Sequence, residues 1–160
     1  MRKRINGFTL VEILIVVVIL GILAAIVVPQ FTSASQAAVK GAIQSQLQTI
    51  SSQVELYRVK EQGAYPDFSG ADNGGWGELV SGEYLKEEPF NGFTRTSTIA
   101  EDASQLSSGD EGSDAEAGWG WSTTAFEVYA VGYDPVNNLL SNEDGYEEFD
   151  PADDGDDDEG

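Results

Sequence analysis

The sequence predicts an α+β fold in which one long N-terminal helix packs on a small antiparallel β-sheet. Two patterns support this prediction. Residues 8–57 are first almost wholly apolar and then place apolar side chains every three or four positions, as one face of a helix does. Residues 126–132 alternate with a period of two, which indicates a strand.

The first apolar run extends from residue 8 to residue 28 and contains 21 residues. At about 1.5 Å of rise per residue, a helix of this length spans ~30 Å, the thickness of a bilayer core. Arg2, Lys3 and Arg4 stand directly before it. Because clustered basic residues stay in the cytoplasm, we expect one membrane crossing with the N-terminus inside the cell.

Glu12 is the one charged residue in this run. A carboxylate costs roughly 2.5–3.5 kcal/mol at the centre of a membrane helix, and less when it lies one turn from the interface. One interpretation is an acid that simply stays at the interface. The other is an acid that binds a positive group near the membrane, and the α-amino group of Phe8 would be available if the chain were cut after Gly7.

The segment Lys-Arg-Ile-Asn-Gly-Phe-Thr-Leu-Val-Glu, residues 3–12, and the apolar run after it resemble the class III signal of type IV pilins and type II secretion pseudopilins. The resemblance implies a pilin-like fold. It implies that prepilin peptidase cuts after Gly7 and N-methylates Phe8, the new N-terminus. It also implies that Glu12 pairs with the N-terminal amine of a neighbouring subunit during assembly.

Two other interpretations of the N-terminus were weighed. An ordinary secretory signal peptide would be cut near Ala24 or Ala25, but the apolar run is too long for one and contains Glu12. A plain membrane anchor would explain the hydrophobicity, but neither Glu12 nor the Gly-Phe junction.

Five segments are predicted. They are a cleaved leader at 1–7, a transmembrane and assembly helix at 8–28, an amphipathic continuation at 29–62, a globular head at 63–146 and a disordered acidic tail at 147–160. Pro29 and Gly21 weaken the helix, and we expect a kink or local break there. The resemblance implies that the segment between them extends in a filament.

The amphipathic part of the helix has one apolar and one polar face. The apolar face consists of Val39, Ile43, Leu47, Ile50, Val54 and Tyr57, and the water-facing side of Gln36, Lys40, Gln44, Gln48, Ser51, Glu55 and Arg58. Gly63 is expected to cap the helix end, and Pro66 cannot continue it.

Beyond the helix, residues 94–117 carry few large apolar groups, and residues 104–114 predict an exposed, mobile loop. Trp119 and Trp121 share a parity and predict a strand before the one at 126–132. We expect both rings in the core or between subunits, since no polar group converges on them in the sequence.

Composition excludes several classes of function. The formal net charge is −20, and no Lys or Arg follows Arg95, so the chain repels nucleic acid. There is no His, no Cys and no phosphate-binding glycine loop, so nothing indicates an enzyme. Many type IV pilins close a C-terminal loop with a disulfide, which this chain cannot form. That absence, the Gly-Ala-Tyr-Pro helix exit at 63–66 and the Trp-containing sheet favour the major pseudopilin of type II secretion.

Calcium is the one cofactor that the resemblance suggests, because major pseudopilins bind Ca²⁺ in a C-terminal loop. Oxygen-bearing side chains of the kind that Ca²⁺ takes occur here at Asp134, Asn137, Asn142 and Asp144, although their spacing is not that of an EF-hand. An ordinary acidic turn is the other interpretation.

The sequence therefore predicts a structural, non-enzymatic subunit of a helical homo-oligomeric filament. It would sit in the inner membrane with its head in the periplasm, and would be handled by prepilin peptidase, minor pseudopilins and the inner-membrane assembly platform. A type IV pilus pilin for adhesion, motility or DNA uptake is an alternative. A membrane-anchored periplasmic calcium-binding module is an alternative of another class.

Overall fold

The computed structural model describes residues 8–107, 109–110, 112 and 115–148. The elements in chain order are α1 Leu10–Lys60, a 3-10 turn at Asp72–Gly75, α2 Gly77–Ser81, β1 Ile99–Glu101, β2 Trp119–Ser122, β3 Glu127–Ala130, β4 Tyr133–Asp134 and β5 Leu139–Leu140. The chain divides into two compact units, Met1–Ala38 and Val39–Gly160. The predicted leader and residues 149–160 of the predicted tail lie outside the described residues.

In the first unit, α1 continues as a helix through Gly21 and Pro29, so neither residue interrupts it, and the predicted kink stays a prediction. Pro29 lacks an N–H and leaves one carbonyl of the preceding turn without its helical partner. The hydroxyls of Thr32 and Ser33 donate to the carbonyls of Val28 and Pro29, at 3.3 and 3.1 Å. Because only one backbone bond is lost, the turns on either side hold the helix. Extension of this segment in a filament stays a prediction.

In the second unit, α1 buries the predicted apolar face. Ile43, Ile50 and Val54 are buried, and the other three members of the face pack at the edge of the same core. Burying one such side chain contributes about 1.5–3 kcal/mol. The period of three and four in the sequence therefore identified the packed side of the helix correctly.

The C-terminal end of α1 differs from the expected cap. Gln62 has φ 57° and Gly63 has φ 102°, and the Gly63 N–H donates to the Arg58 carbonyl at 2.8 Å. This is the six-to-one bond of a Schellman motif, in which Gln62 occupies the first left-handed position and Gly63 follows it. The helix ends where expected, but Gly63 is the second residue of the cap.

The three-stranded sheet has the order β1-β2-β3 and is mixed. β2 and β3 form the predicted antiparallel pair, with Trp119 opposite Ala130. β1 pairs with β2 in parallel, with Ile99 opposite Trp119, and lies before the loop predicted at 104–114. The α+β class is confirmed. The sequence analysis predicted no strand at β1, because this strand offers a single large apolar side chain among polar neighbours.

Tryptophan rings fill the core of the second unit. Trp76 and Trp119 are fully buried, with ring centroids 6.4 Å apart and planes nearly perpendicular. Their indole N–H groups donate to the carbonyls of Ser97 and Pro89, at 2.6 and 2.9 Å. Each ring thus has its polar atom satisfied, as burial requires. Trp121 is also buried and belongs to the same core, so the expectation that Trp119 and Trp121 lie in the core is confirmed.

Asn91 joins three backbone segments of the head. Its side chain is fully buried. The amide nitrogen donates to the carbonyls of Gly118 and Val131, at 2.7 and 3.3 Å, and the amide oxygen accepts from the N–H groups of Phe93 and Thr94, at 2.9 and 3.3 Å. One side chain therefore fixes the loop before β1 against the start of β2 and the end of β3.

Replacing Asn91→Leu should lower the free energy of unfolding by about 3 kcal/mol, because buried backbone groups left without partners cost about 1–3 kcal/mol each. Denaturant unfolding of the full chain in detergent, followed by tryptophan fluorescence, measures the change. Asn142→Leu, in an exposed turn, is the matched control. Equal midpoints for the two variants would show that the Asn91 bonds do not hold the head.

Candidate functional site

The start of α1 is held by a reciprocal set of hydrogen bonds between Thr9 and Glu12. The backbone N–H and the hydroxyl of Thr9 donate to Glu12 Oε2, at 2.8 and 2.7 Å. The Glu12 N–H lies 3.3 Å from Thr9 Oγ1, which accepts from it. This is a capping box, with Thr9 at the N-cap and Glu12 at the third helical position. It satisfies amide groups that no helical carbonyl can reach.

Thr9 is the functional residue that sequence reasoning missed. The signal was present, since Thr-x-x-Glu ahead of an apolar run is the pattern of a capping box. Glu12 therefore has a local role besides any contact with a neighbour. Its carboxylate also lies at the positive end of the helix dipole, which favours a negative charge.

The predicted cleavage point borders this box. Gly7 lies outside the described residues, and Phe8 is the first residue that the structure describes. Phe8 is exposed. The bonds between Thr9 and Glu12 use no atom of residues 1–7, so a cut after Gly7 would leave the box intact. The cut would also create a cationic amine at the positive end of α1, where a nearby carboxylate offsets it.

Glu12 keeps one oxygen for another donor. Among the described residues, no hydrogen bond reaches Glu12 Oε1, since both bonds from Thr9 go to Oε2. The side chain is exposed. Glu12 can therefore cap its own helix through Oε2 and still bind a cation through Oε1.

After Glu12 the helix is apolar on all sides. No Asp, Glu, Lys or Arg occurs from residue 13 to residue 39. Within the described residues, the large apolar side chains from residue 13 to residue 31 are 41–72% exposed, on every face of the helix. The helix is long and apolar enough to cross a membrane. A helix that is hydrophobic all round needs lipid or other apolar helices around it.

The structure places the four residues predicted to bind calcium in or beside two turns of the head. Asp134 is buried, and its Oδ1 accepts from the N–H groups of Val136 and Asn137, at 2.8 and 3.1 Å. Its Oδ2 accepts from the Asn137 side-chain amide at 2.8 Å. Asn142 and Asp144 lie in an exposed turn. Asp134 and Asn137 are thus brought together, but as each other's partners in a turn.

Ca²⁺ takes six to eight oxygen ligands, which include amide and backbone carbonyl oxygens as well as carboxylates. Within the part of the chain that the structure describes, no group of three or more acidic, His or Cys side chains is placed to hold a metal. Calcium binding by these residues stays a prediction.

Thr9→Val should loosen the start of α1 by about 1 kcal/mol, because loss of a capping hydroxyl exposes helical N–H groups. Hydrogen exchange of the amides at residues 10–13, measured in detergent micelles, should become severalfold faster. Thr32→Val is the control, because the Thr32 hydroxyl bonds a carbonyl inside the helix. Unchanged exchange at residues 10–13 would contradict a stabilising role of the capping box.

The N-terminal segment of the chain matches a sequence motif known from other proteins. The prokaryotic N-terminal methylation motif matches residues 2–28. That range contains the basic leader, the Gly-Phe junction, the capping box and the apolar run. The resemblance that these residues indicated is thereby confirmed.

The chain is also similar to proteins named type II secretion system core protein G. It is 36% identical to that of Dickeya chrysanthemi over 91 residues, which cover 57% of this chain and 56% of the relative. For Pseudomonas aeruginosa the identity is 43% over 65 residues, 41% of this chain and 45% of the relative. For Pectobacterium carotovorum it is 33% over 88 residues, 55% and 53%. The chain thus spans about half the length of these relatives. No solved structure gives a significant match.

Proposed function

We propose that this chain is a structural subunit of a type IV pilin-like filament, the major pseudopilin of a type II protein secretion system. The observation that supports this most is the methylation motif at residues 2–28, which encloses a capped helix exposed on every side. The relatives named for type II secretion favour that machine over a surface pilus. The role is mechanical, and no enzymatic activity is proposed.

In this proposal the chain spans the inner membrane before assembly, with residues 1–7 in the cytoplasm and the head in the periplasm. Prepilin peptidase cuts after Gly7 and methylates the amine of Phe8. Lipid covers the apolar part of α1 until the subunit is extracted. The inner-membrane assembly platform and minor pseudopilins are the proposed partners in that step.

The filament is held by the apolar surface of α1. In lipid there is no hydrophobic driving force for apolar side chains to leave lipid tails for a protein neighbour, because the tails are equally apolar. Outside the bilayer, each large side chain left in water would cost about 1.5–3 kcal/mol. Extracted helices must therefore cover each other, and copies of this chain supply matching surfaces.

Glu12 sets the register between subunits. A carboxylate inside a helix bundle is tolerated only opposite a positive group with hydrogen-bond donors. The Phe8 amine of a neighbour provides such a group, and Glu12 Oε1 is open to it. The bonds from Thr9 to Oε2 hold the carboxylate in place for that contact.

The N-terminus of the mature protein tests the class of protein. Intact mass and N-terminal sequencing of the chain from its native membrane should find N-methylated Phe8. A chain that keeps residues 1–7 in cells with active prepilin peptidase would indicate a static anchor. A cut near Ala25 would indicate a secreted soluble domain, and either result overturns the proposal.

Glu12→Gln separates pairing from capping. Glutamine also serves at the third position of a capping box, so the variant should keep the helix start but lose the charge. We expect normal insertion and cleavage, and loss of filaments in sedimentation and cross-linking assays. Thr9→Val loses the capping hydroxyl but keeps the Glu12 charge and the backbone N–H bond to Oε2, so it should still assemble. Normal filaments from Glu12→Gln would refute the proposed pairing.

Deletion of the protein distinguishes the two machines. In the proposed role, the deleted strain retains exported proteins in the periplasm. Surface fibres that disappear while secretion continues would assign the chain to a type IV pilus instead.

A further inference from the structure

Lys40 and Glu143 form a partly buried ion pair across 103 residues of sequence. Lys40 Nζ lies 3.0 Å from Glu143 Oε1 and 3.1 Å from Oε2, and the two side chains are 17% and 19% exposed. The prediction that Lys40 faces water was wrong, because Glu143 covers it. The other ion pair among the described residues, Arg58 with Glu55, is far more exposed and contributes little.

Glu143 is bound to the β4–β5 hairpin as well as to Lys40. Its Oε2 accepts from the Leu140 N–H at 2.7 Å, and its own N–H donates to the Leu140 carbonyl at 2.8 Å. Each strand of this hairpin has two residues, and isolated hairpins are marginal in water. The carboxylate therefore connects the end of the hairpin to α1.

The hairpin region lacks any cation of its own. The sequence contains no Lys or Arg after Arg95, whereas acids stand at Asp134, Glu143 and Asp144. Among the described residues, Lys40 is the one Lys or Arg that forms an ion pair with an acid of this region. The carboxylate oxygens of Asp134 and Glu143 already accept hydrogen bonds from protein donors.

We propose that Lys40, rather than a divalent metal ion, is the cation that holds the C-terminal hairpin to the helix in this chain. The ammonium group satisfies both oxygens of Glu143. The hairpin then folds and stays attached without calcium. This inference concerns the folding of the head and does not depend on the proposed role in secretion.

Metal dependence is the first test, and it needs no substitution. The Tm of the full chain in detergent, at fixed ionic strength, should be the same in excess chelator, in Ca²⁺ and in Mg²⁺ at equal concentration. Mg²⁺ controls for general screening of the acidic chain. A Tm that Ca²⁺ raises above the Mg²⁺ value, or that the chelator lowers, would overturn the proposal.

Substitution at Lys40 is the second test. Lys40→Gln should lower the Tm by about 4–8 °C, the shift expected when a small domain loses one such interaction. It should also speed hydrogen exchange at the amides of Leu140 and Ser141. Lys86→Gln removes the same charge from an exposed position and should change neither. Identical behaviour of the two variants would refute the role of Lys40.

A double-mutant cycle assigns the effect to the pair. If Lys40 acts through Glu143, the double variant with Lys40→Gln and Glu143→Gln should have a smaller total Tm decrease, measured from the unsubstituted chain, than the sum of the two single decreases. Lys40→Arg keeps the charge and should restore most of the protection. Additive single shifts would show that the two side chains stabilise the head separately.

Discussion

The contact between α1 and the tryptophan core of the head is the interaction on which the second unit depends. Its strands have two to four residues, too few to form a stable sheet by their own hydrogen bonds. Ile43, Ile50 and Val54 belong to the same buried cluster as Trp76 and Trp119. The indole N–H groups bond backbone carbonyls, and these bonds fix the rings in the cluster that packs on the helix.

The same helix carries two kinds of surface along its length. Residues 13–39 have no charge, and their side chains are apolar around the whole circumference for most of that distance. Beyond Val39 only one stripe is apolar, and polar residues occupy the rest. The first pattern needs lipid or many helices around it, and the second needs one partner on one side. A single continuous element thereby carries one surface suited to apolar surroundings and another suited to a folded head.

How well the sequence predicted the structure depended on how local each interaction is. The apolar face of α1 and the β2–β3 pair were predicted correctly, because each leaves a periodic pattern within a few residues. The roles of Asn91 and Lys40 were not predicted, since their partners lie 27 to 103 residues away. β1 escaped prediction because its three residues gain their place from β2 rather than from their own pattern. The capping box is also local, since Thr-x-x-Glu is its sequence pattern. It was missed because Glu12 was interpreted only as a charge within the apolar run.

Because β1 and β2 are parallel, the polar segment between them must be long enough to lead the chain back to the start of the sheet. Two strands that run in the same direction cannot be joined by a tight turn, so the chain must return along the sheet before β2 begins. Loops of this kind tolerate added length at little entropic cost, since each doubling of length costs only about 0.6 kcal/mol. The segment is therefore free to diverge in composition and to lengthen between related chains, but it cannot shrink to a hairpin without reversing the direction of β1.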